Sequence, residues 1–227
     1  MQPYFFPYIG YWQLINAVDK YVIYDDVNFI KGGWINRNRI LVNNEPKLIN
    51  LKMDGASPNK LINEVGVSND IIFVKKNMKM IENLYKKAPY YKDLYPVIED
   101  IFYYKESNLA KYLEYSLRKI CDYLSIKTEL IVSSEINKDT KLKGQDKVIE
   151  ICKLLKANEY INAIGGQELY SVSDFSKEGI NLGFLKTGVI KYKQFNNDFV
   201  PNLSIIDVMM FNSVEEIKEM LINYELI

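Results

Sequence analysis

The sequence contains no histidine among its 227 residues. This absence excludes a Ser-His-Asp or Cys-His nucleophile system and any histidine-ligated zinc site. Proton transfer must therefore fall to Asp, Glu, Lys or Tyr side chains, or be replaced by positioning and electrostatic stabilisation. We expect neither a bound metal nor a cofactor.

Long apolar runs and the common nucleotide and hydrolase motifs are also missing. No apolar stretch approaches the roughly 18 residues of a membrane span, and the N-terminus lacks a basic segment and a cleavage site. The patterns GxGxxG, GxxxxGK[ST], GxSxG and CxxC do not occur. These absences predict a cytoplasmic protein without a membrane span, and they exclude the commonest nucleotide-binding and hydrolase classes.

Charge of one sign is not in excess, because 29 Lys and Arg residues balance 29 Asp and Glu residues. A balanced chain is a poor candidate for extensive contact with nucleic acid phosphates. One alternative stays open, tRNA binding by five lysines of the central region: Lys75, Lys76, Lys79, Lys86 and Lys87. The two cysteines, Cys121 and Cys152, fall in helical patterns and are predicted to be buried, reduced thiols.

Hydrophobic periodicity predicts an alternation of strands and helices. Helices are predicted at 8–18, 144–157, 173–179, 204–211 and 213–226, and strands at 20–25, 128–134, 159–164 and 181–186. Residues 37–53 predict a β-hairpin that turns at NNEP, and about 69–125 predict a helical insertion broken near Pro89 and at 106–108.

This order predicts one α/β domain over residues 1–227, with a mainly parallel, Rossmann-like sheet. The helical insertion and the β-hairpin are excursions from that sheet. Strands 20–25, 128–134 and 159–164 are expected to be adjacent or nearly adjacent. The sequence leaves the oligomeric state open.

The opening stretch MQPYFFPYIGY interrupts a run of aromatic residues with two prolines and a glycine. Pro3 and Pro7 stiffen the segment, Gly10 permits close approach of another backbone or a ligand, and Gln2 offers a hydrogen-bond donor and an acceptor. Two interpretations are equally open: a loop that receives a ligand, or an aromatic wedge at the edge of the core. The strand that should precede this loop is either confined to Met1–Phe5 or lies upstream of Met1.

A charged cluster follows the strand 20–25, in YDDVNFIKGGWINRNR. Side chains alternate along a strand, so Asp25 and Asp26 should point to different sides of its end. Within fifteen residues the cluster also contains side chains with positive charges, amides and one indole: Asn28, Lys31, Trp34, Asn36, Arg37 and Arg39. Arginines two residues apart on a strand form a two-pronged anion site. The alternative is a solvated loop with compensating salt bridges.

Two later stretches add candidate ligand-binding residues. Lys143 and Gln145 flank a glycine that precedes a helix, in KLKGQDK. Gly165, Gly166 and Gln167 end a predicted strand, where exposed backbone N–H groups suit a phosphate or carboxylate, although tight turns use the same pair of glycines without a ligand. Gln194 lies in an irregular polar and aromatic loop before the helix 204–211. Asp207 in that helix is interpreted as a first-turn acid favoured by the helix dipole.

Five segments together resemble the WbqC-like protein family: MQPYFFPYIGYWQLI, YDDVNFIKGGWINRNRI, LKGQD, YINAIGGQELY and FVPNLSIIDVMMFNS. They occur in order along essentially the whole chain. Members commonly begin a few residues upstream with a short strand, and distant members carry a histidine where this chain has Met1. A catalytic role of that histidine does not transfer to this chain.

The resemblance implies a role in bacterial surface-polysaccharide or O-antigen synthesis, as a glycine or other aminoacyl-type transferase. Its partners would be an activated small-molecule donor and a sugar or nucleotide-sugar acceptor. In that hypothesis Asp25 or Asp26 is the general base, and Lys31, Arg37 and Arg39 hold the anionic part of the donor. The alternative is a non-catalytic module that binds a carbohydrate or nucleotide by aromatic stacking.

The first helix carries a second, fold-level analogy. The order of loop, helix and strand is similar to the opening of nucleotidylyl transferases and class I synthetases, whose HxGH tetrad contacts phosphates. Tyr8 and Tyr11 occupy the positions of the two histidines, and a tyrosine hydroxyl can hydrogen-bond a phosphate. We expect Gln2, Asp25, Asn28, Arg37, Gln167 and Gln194 to face one cleft.

Overall fold

The computed structural model describes residues 1–195 and 198–227 and has a mixed α/β fold. Its α-helices are α1 (Ile9–Asn16), α2 (Ile71–Tyr85), α3 (Tyr91–Phe102), α4 (Leu109–Leu124), α5 (Gly144–Leu154), α6 (Val172–Lys177), α7 (Ile205–Phe211) and α8 (Val214–Leu221). Its strands are β1 (Lys20–Ile23), β2 (Arg37–Val42), β3 (Glu45–Asn50), β4 (Met53–Asp54), β5 (Gly66–Val67), β6 (Glu129–Val132), β7 (Glu159–Ala163), β8 (Asn181–Thr187) and β9 (Tyr224–Leu226). Among the described helices, none is long and apolar enough to cross a membrane.

Strands β1 and β6 form a parallel pair, as predicted, with Lys20 opposite Glu129 and Ile23 opposite Val132. Met1 also pairs with β1: its amino group donates to the Val22 carbonyl oxygen at 2.8 Å and its carbonyl oxygen accepts from the Tyr24 amide at 2.9 Å. Backbone groups alternate in direction along a strand, and the Asp19 carbonyl oxygen faces β6. Met1 therefore lies on the edge of β1 away from β6, and the residues after it form a loop and not a strand.

The third predicted neighbour, β7, pairs instead with β8 in parallel. Residues 224–226, predicted as the end of a helix, form β9, which runs antiparallel to β8. Backbone hydrogen bonds between the described strands thus form separate small sheets rather than the continuous Rossmann-like sheet that the sequence predicted. Periodicity identified β7 correctly as a strand, but its pairing is decided by tertiary contacts that no local pattern encodes.

The predicted hairpin and the predicted helices of the 69–125 region are present. Strands β2 and β3 pair antiparallel across Asn43 and Asn44, which have φ of 51° and 66°. Asparagine tolerates this left-handed conformation, which a two-residue hairpin turn requires at both positions. Helices α2, α3 and α4 fill the predicted insertion, and Asp70 and Asn108 cap α2 and α4 with their side-chain oxygens.

The opening segment is an aromatic wedge. Phe5 and Phe6 are fully buried and both pack against Phe102 of α3. The carbonyl oxygen of Phe6 accepts hydrogen bonds from Asn38 Nδ2 at 2.9 Å and from Ser204 Oγ at 2.8 Å. Because buried carbonyl groups need partners, these two side chains fix the wedge to β2 and to the start of α7.

Replacing Ser204 with alanine should reveal how much this anchor contributes. Ser204 is buried, caps α7 by accepting from the Ile206 amide, and also satisfies Phe6, so Ser204→Ala should lower the free energy of unfolding by about 2–3 kcal/mol. Ser213→Ala is the matched control, because Ser213 caps α8 in a capping box at the surface and should cost about 1 kcal/mol. Urea unfolding of both variants measures the difference, and equal losses would contradict the proposed anchor.

Candidate functional site

A cleft of about 450 Å³ opens at the carboxyl ends of β1 and β6, and we call it the Asp25 cleft. In parallel α/β structures this edge is where ligands bind, beyond the strand ends. Asp25 at the end of β1 and Ser134 after β6 line it, together with Asn63. Its remaining wall comes from α4 and from the segment that precedes α4.

Asp25 is buried, with an exposed fraction of 2%, and is held by neutral donors. Its Oδ1 accepts from the Ser134 amide at 2.9 Å, and its Oδ2 accepts from Ser134 Oγ at 2.6 Å and from Asn63 Nδ2 at 3.3 Å. Two carboxylate oxygens offer about four acceptor positions, and these bonds use three of them. The carboxylate is thus fixed in orientation while Oδ1 keeps an acceptor position for a further partner.

Asn63 and Asn108 connect this carboxylate to the opposite wall. The Asn63 amide donates to the Asp25 carbonyl oxygen at 3.1 Å, and Asn108 Nδ2 donates to the Asn63 carbonyl oxygen at 2.7 Å. Asn108 is also the cap of α4, whose side chains line the cleft. A chain of hydrogen bonds therefore sets the distance between Asp25 and α4.

The walls of the Asp25 cleft carry more acids than bases. Five charged side chains line it besides Asp25: Glu106, Lys111, Glu114, Arg118 and Glu135. Arg118 is already paired with Glu114 at 2.9 Å. Tyr104 and Tyr115 also line the cleft and stack with ring centroids 3.7 Å apart. This combination suits a ligand with amine or hydroxyl groups and an apolar face better than it suits a phosphate.

Asp26 points away from Asp25, as the strand alternation predicted, and lies between two lysines. Lys138 and Lys147 each place Nζ at 2.9 Å from Asp26 Oδ2, and their side chains are only 2% and 9% exposed. Burial opposes ionisation of Asp26, but the bonds to Lys138 and Lys147 outweigh it and hold the pKa of this carboxyl below its usual value. Asp26 is therefore an ionised partner of two buried ammonium groups.

The basic loop lies at a second cavity of about 370 Å³, which Lys31, Asn36 and Arg37 line. The Arg37 guanidinium donates to the carbonyl oxygens of Gly32 and Gly33, which orders the loop. The two arginines do not form a two-pronged site, because the Arg39 guanidinium lies over the Trp34 ring at 5.2 Å.

Gln194 lies in neither cavity but in a buried polar network around Asp207. Its Nε2 donates to Asp207 Oδ1 at 2.7 Å, while the hydroxyl groups of Tyr85 and Tyr192 donate to the same carboxylate at 2.8 and 2.7 Å. Burial raises the pKa of Asp207 above its ordinary 3.8, and the three hydrogen bonds offset part of that increase. Asp207 lies in the first turn of α7, as predicted, and it is buried and held by neutral donors.

The other sequence candidates are scattered. Tyr11 is a core residue whose hydroxyl donates to the Gln2 carbonyl oxygen at 3.0 Å, and burial raises its pKa. Tyr8 is half-buried at the start of α1. Asn28 is exposed and donates to the Pro58 carbonyl oxygen at 2.8 Å.

The glycine pair and the start of α5 form local contacts of their own. Gln145 donates to Asp174 at 3.1 Å and its side-chain oxygen accepts from the Ser171 amide, so it joins α5 to α6; Lys143 is exposed just before α5. Gly165, Gly166 and Gln167 lie in a short 3-10 helix after β7. Asp25, Arg37 and Gln194, which were predicted to face one cleft, lie apart: Asp25 lines the Asp25 cleft, Arg37 lines the cavity of the basic loop, and Gln194 is buried against Asp207.

Comparison with known protein families identifies the family to which this chain belongs. The model of the WbqC-like protein family matches residues 2–219. The chain belongs to the WbqC-like protein family. It is 27% identical over 217 residues to an uncharacterized protein of Mycobacterium tuberculosis, Rv1507c, and the match covers 93% of this chain and 91% of that relative. No solved structure matches it.

For this WbqC-like chain, sequence reasoning missed most of the Asp25 cleft. Asn63, Tyr104, Tyr115 and Ser134 come from segments that carry no recognisable motif. Lys147 lies in the stretch KLKGQDK, one turn into a helix and on its apolar side. The sequence alone therefore indicated that Lys147 is buried. Among the described residues, no group of three or more acids and cysteines is placed to hold a metal ion.

The raised pKa of Asp207 predicts a pH-dependent stability. A carboxyl whose pKa is higher in the folded state stabilises the fold below pH 3.8, and this contribution is lost as the pH rises through the folded pKa. Asp207→Asn removes this titrating group, so wild type loses stability between pH 4 and pH 8 that the variant does not lose. The free energy of unfolding of the variant minus that of wild type should therefore increase over this range. Urea unfolding across this range measures it, with exposed Asp19→Asn as the control. A difference independent of pH would contradict the assignment.

The Asp26 cluster predicts the opposite pH dependence. Asp26→Asn leaves two buried ammonium groups without their anion and should cost about 3 kcal/mol or more at pH 7. Because the folded pKa of Asp26 is lowered, the stability it contributes is present above pH 3.8 and is lost as the pH falls through the folded value. Adding Lys147→Met should recover part of the loss, since it removes one unpaired charge. Strictly additive losses in urea unfolding would exclude this coupling.

Proposed function

We propose that this WbqC-like protein is a transferase of bacterial surface-polysaccharide synthesis that moves an acyl-type group, such as a glycyl group, from an activated donor to a sugar. The pathway is what membership of the family suggests. The reaction class is supported by one observation above all, the oriented and buried carboxylate of Asp25 in the lining of a ligand-sized cleft.

In this proposal Asp25 is the general base. It accepts the proton of the acceptor amine or hydroxyl while that atom attacks the donor carbonyl carbon, and the bond from the carbonyl to the activating group then breaks. The Ser134 amide and hydroxyl fix the carboxylate, so little reorganisation is needed when the proton arrives. Asp26 is not assigned this role, because a carboxylate held ionised by two lysines is a weak base.

The acceptor in this proposal is a sugar, and an amino sugar fits best. Asp25, Glu106 and Glu135 favour a cationic or hydroxyl-rich group, and the Tyr104–Tyr115 stack offers an aromatic face for the ring. Native mass spectrometry against nucleotides, nucleotide sugars and aminoacyl adenylates identifies the donor class.

A non-catalytic binding module is the second candidate, and one observation favours it. Asp25 accepts two hydrogen bonds from Ser134, which join the ends of β1 and β6, and a third from Asn63; a purely structural carboxylate does the same. In such a module the acceptor sugar would bind without turnover.

Asp25→Asn separates the two candidates. It keeps the shape of the side chain and removes the base, so turnover with the donor and acceptor should fall by about two to four orders of magnitude while acceptor affinity changes little. Asp19→Asn, at an exposed aspartate outside the cleft, is the matched control and should stay near wild type. Steady-state transfer assays and calorimetric binding measure both quantities on variants whose thermal unfolding is checked. Full transfer activity in Asp25→Asn would remove Asp25 from the mechanism.

A further inference from the structure

A third cavity, also of about 370 Å³, lies beside the Asp25 cleft and is mainly apolar. Aliphatic and aromatic side chains dominate its lining: Leu51, Val67, Phe73, Val74, Phe102 and Tyr112. Lys52 at its edge is paired with Asp70 at 2.7 Å, and Lys105 is exposed near its mouth. We call it the Val74 cavity. Its volume and apolar lining are those of a small-molecule site.

Tyr104 lines both the Val74 cavity and the Asp25 cleft. Its ring stacks on Tyr115, which lines the Asp25 cleft, and lies 6.2 Å from the ring of Tyr112, which lines the Val74 cavity. The residue belongs to the irregular segment between α3 and α4 and is only partly buried. One side chain therefore separates a polar, acidic space from an apolar one.

From this adjacency we infer that the acceptor is amphipathic: its sugar lies in the Asp25 cleft and an apolar chain attached to the sugar crosses Tyr104 into the Val74 cavity. The inference rests on the proposed function, because it takes the Asp25 cleft as the acceptor site. It adds a substrate class, a sugar with an alkyl-type substituent. The rim of the cavity agrees with an apolar ligand, since Ile71 is 49% exposed there.

The size of the Val74 cavity sets the length of chain that it holds. Its volume accommodates about twelve groups of the size of a water molecule, at roughly 30 Å³ each. A six-carbon chain thus fits with room to spare. Each methylene that leaves water for this lining should tighten binding by about fourfold.

Calorimetric titration with methyl, butyl and hexyl glycosides of glucosamine tests the inference. Wild type should bind the methyl glycoside and bind the longer glycosides progressively more tightly. Val74→Trp fills the cavity, so it should keep the affinity for the methyl glycoside and lose the gain with chain length. Val189→Trp is the matched control, because Val189 is 80% exposed and outside both cavities. Ile71 is half-exposed at the rim of the cavity. Ile71→Asn should therefore reduce the increase in affinity with chain length without altering the core.

Each outcome has one meaning. Chain-length dependence that Val74→Trp and Ile71→Asn reduce and Val189→Trp leaves intact supports the inference. Binding of all three glycosides with equal affinity, or an equal gain in every variant, overturns the inference and leaves the proposed function standing. No binding of any of the three glycosides overturns both, since the Asp25 cleft would then not be the acceptor site.

Discussion

The hydrogen bonds of Asp25 hold the candidate site together. Its carboxylate joins the end of β1 to Ser134 after β6, and both its side chain and its main chain bind Asn63. Asn63 in turn accepts from Asn108, the cap of α4, which forms the far wall of the cleft. Four segments that are distant in sequence therefore meet through one buried acid. Neutral donors from Ser134 and Asn63 orient this acid.

Asp25 and Asp26 show how one strand end produces two different carboxylates. Alternation along the strand turns Asp25 toward the cleft and Asp26 toward two lysines of the opposite side. The lysine pair keeps Asp26 ionised, and the Ser134 and Asn63 donors leave Asp25 available to a ligand. The same separation extends to the surroundings, where the acidic Asp25 cleft, the basic loop at Lys31 and the apolar Val74 cavity are distinct spaces.

Local patterns in the sequence predicted the helices and most strands, because periodicity and caps are local properties. The helical insertion and the hairpin at Asn43 and Asn44 are examples. Local patterns did not predict which strands pair. Strand β7 pairs with β8, and residues 224–226 form a strand because they pair with the free edge of β8. Within the site, Asp25 was predicted from its place at a strand end. Ser134, Asn63 and Tyr104 were not, since nothing in their own segments marks the contacts that the fold gives them.

The central claim is that the Asp25 cleft receives the acceptor, and amide chemical-shift mapping tests it most directly. The Ser134 amide donates to Asp25 Oδ1, so it reports on any partner that reaches this carboxylate. Titration of ¹⁵N-labelled protein with glucosamine methyl glycoside should shift the Ser134 amide and the Asn63 side-chain amide together and saturably. Shifts confined to Lys31–Arg37 or to Gly165–Gln167, with Ser134 unmoved, would contradict the account.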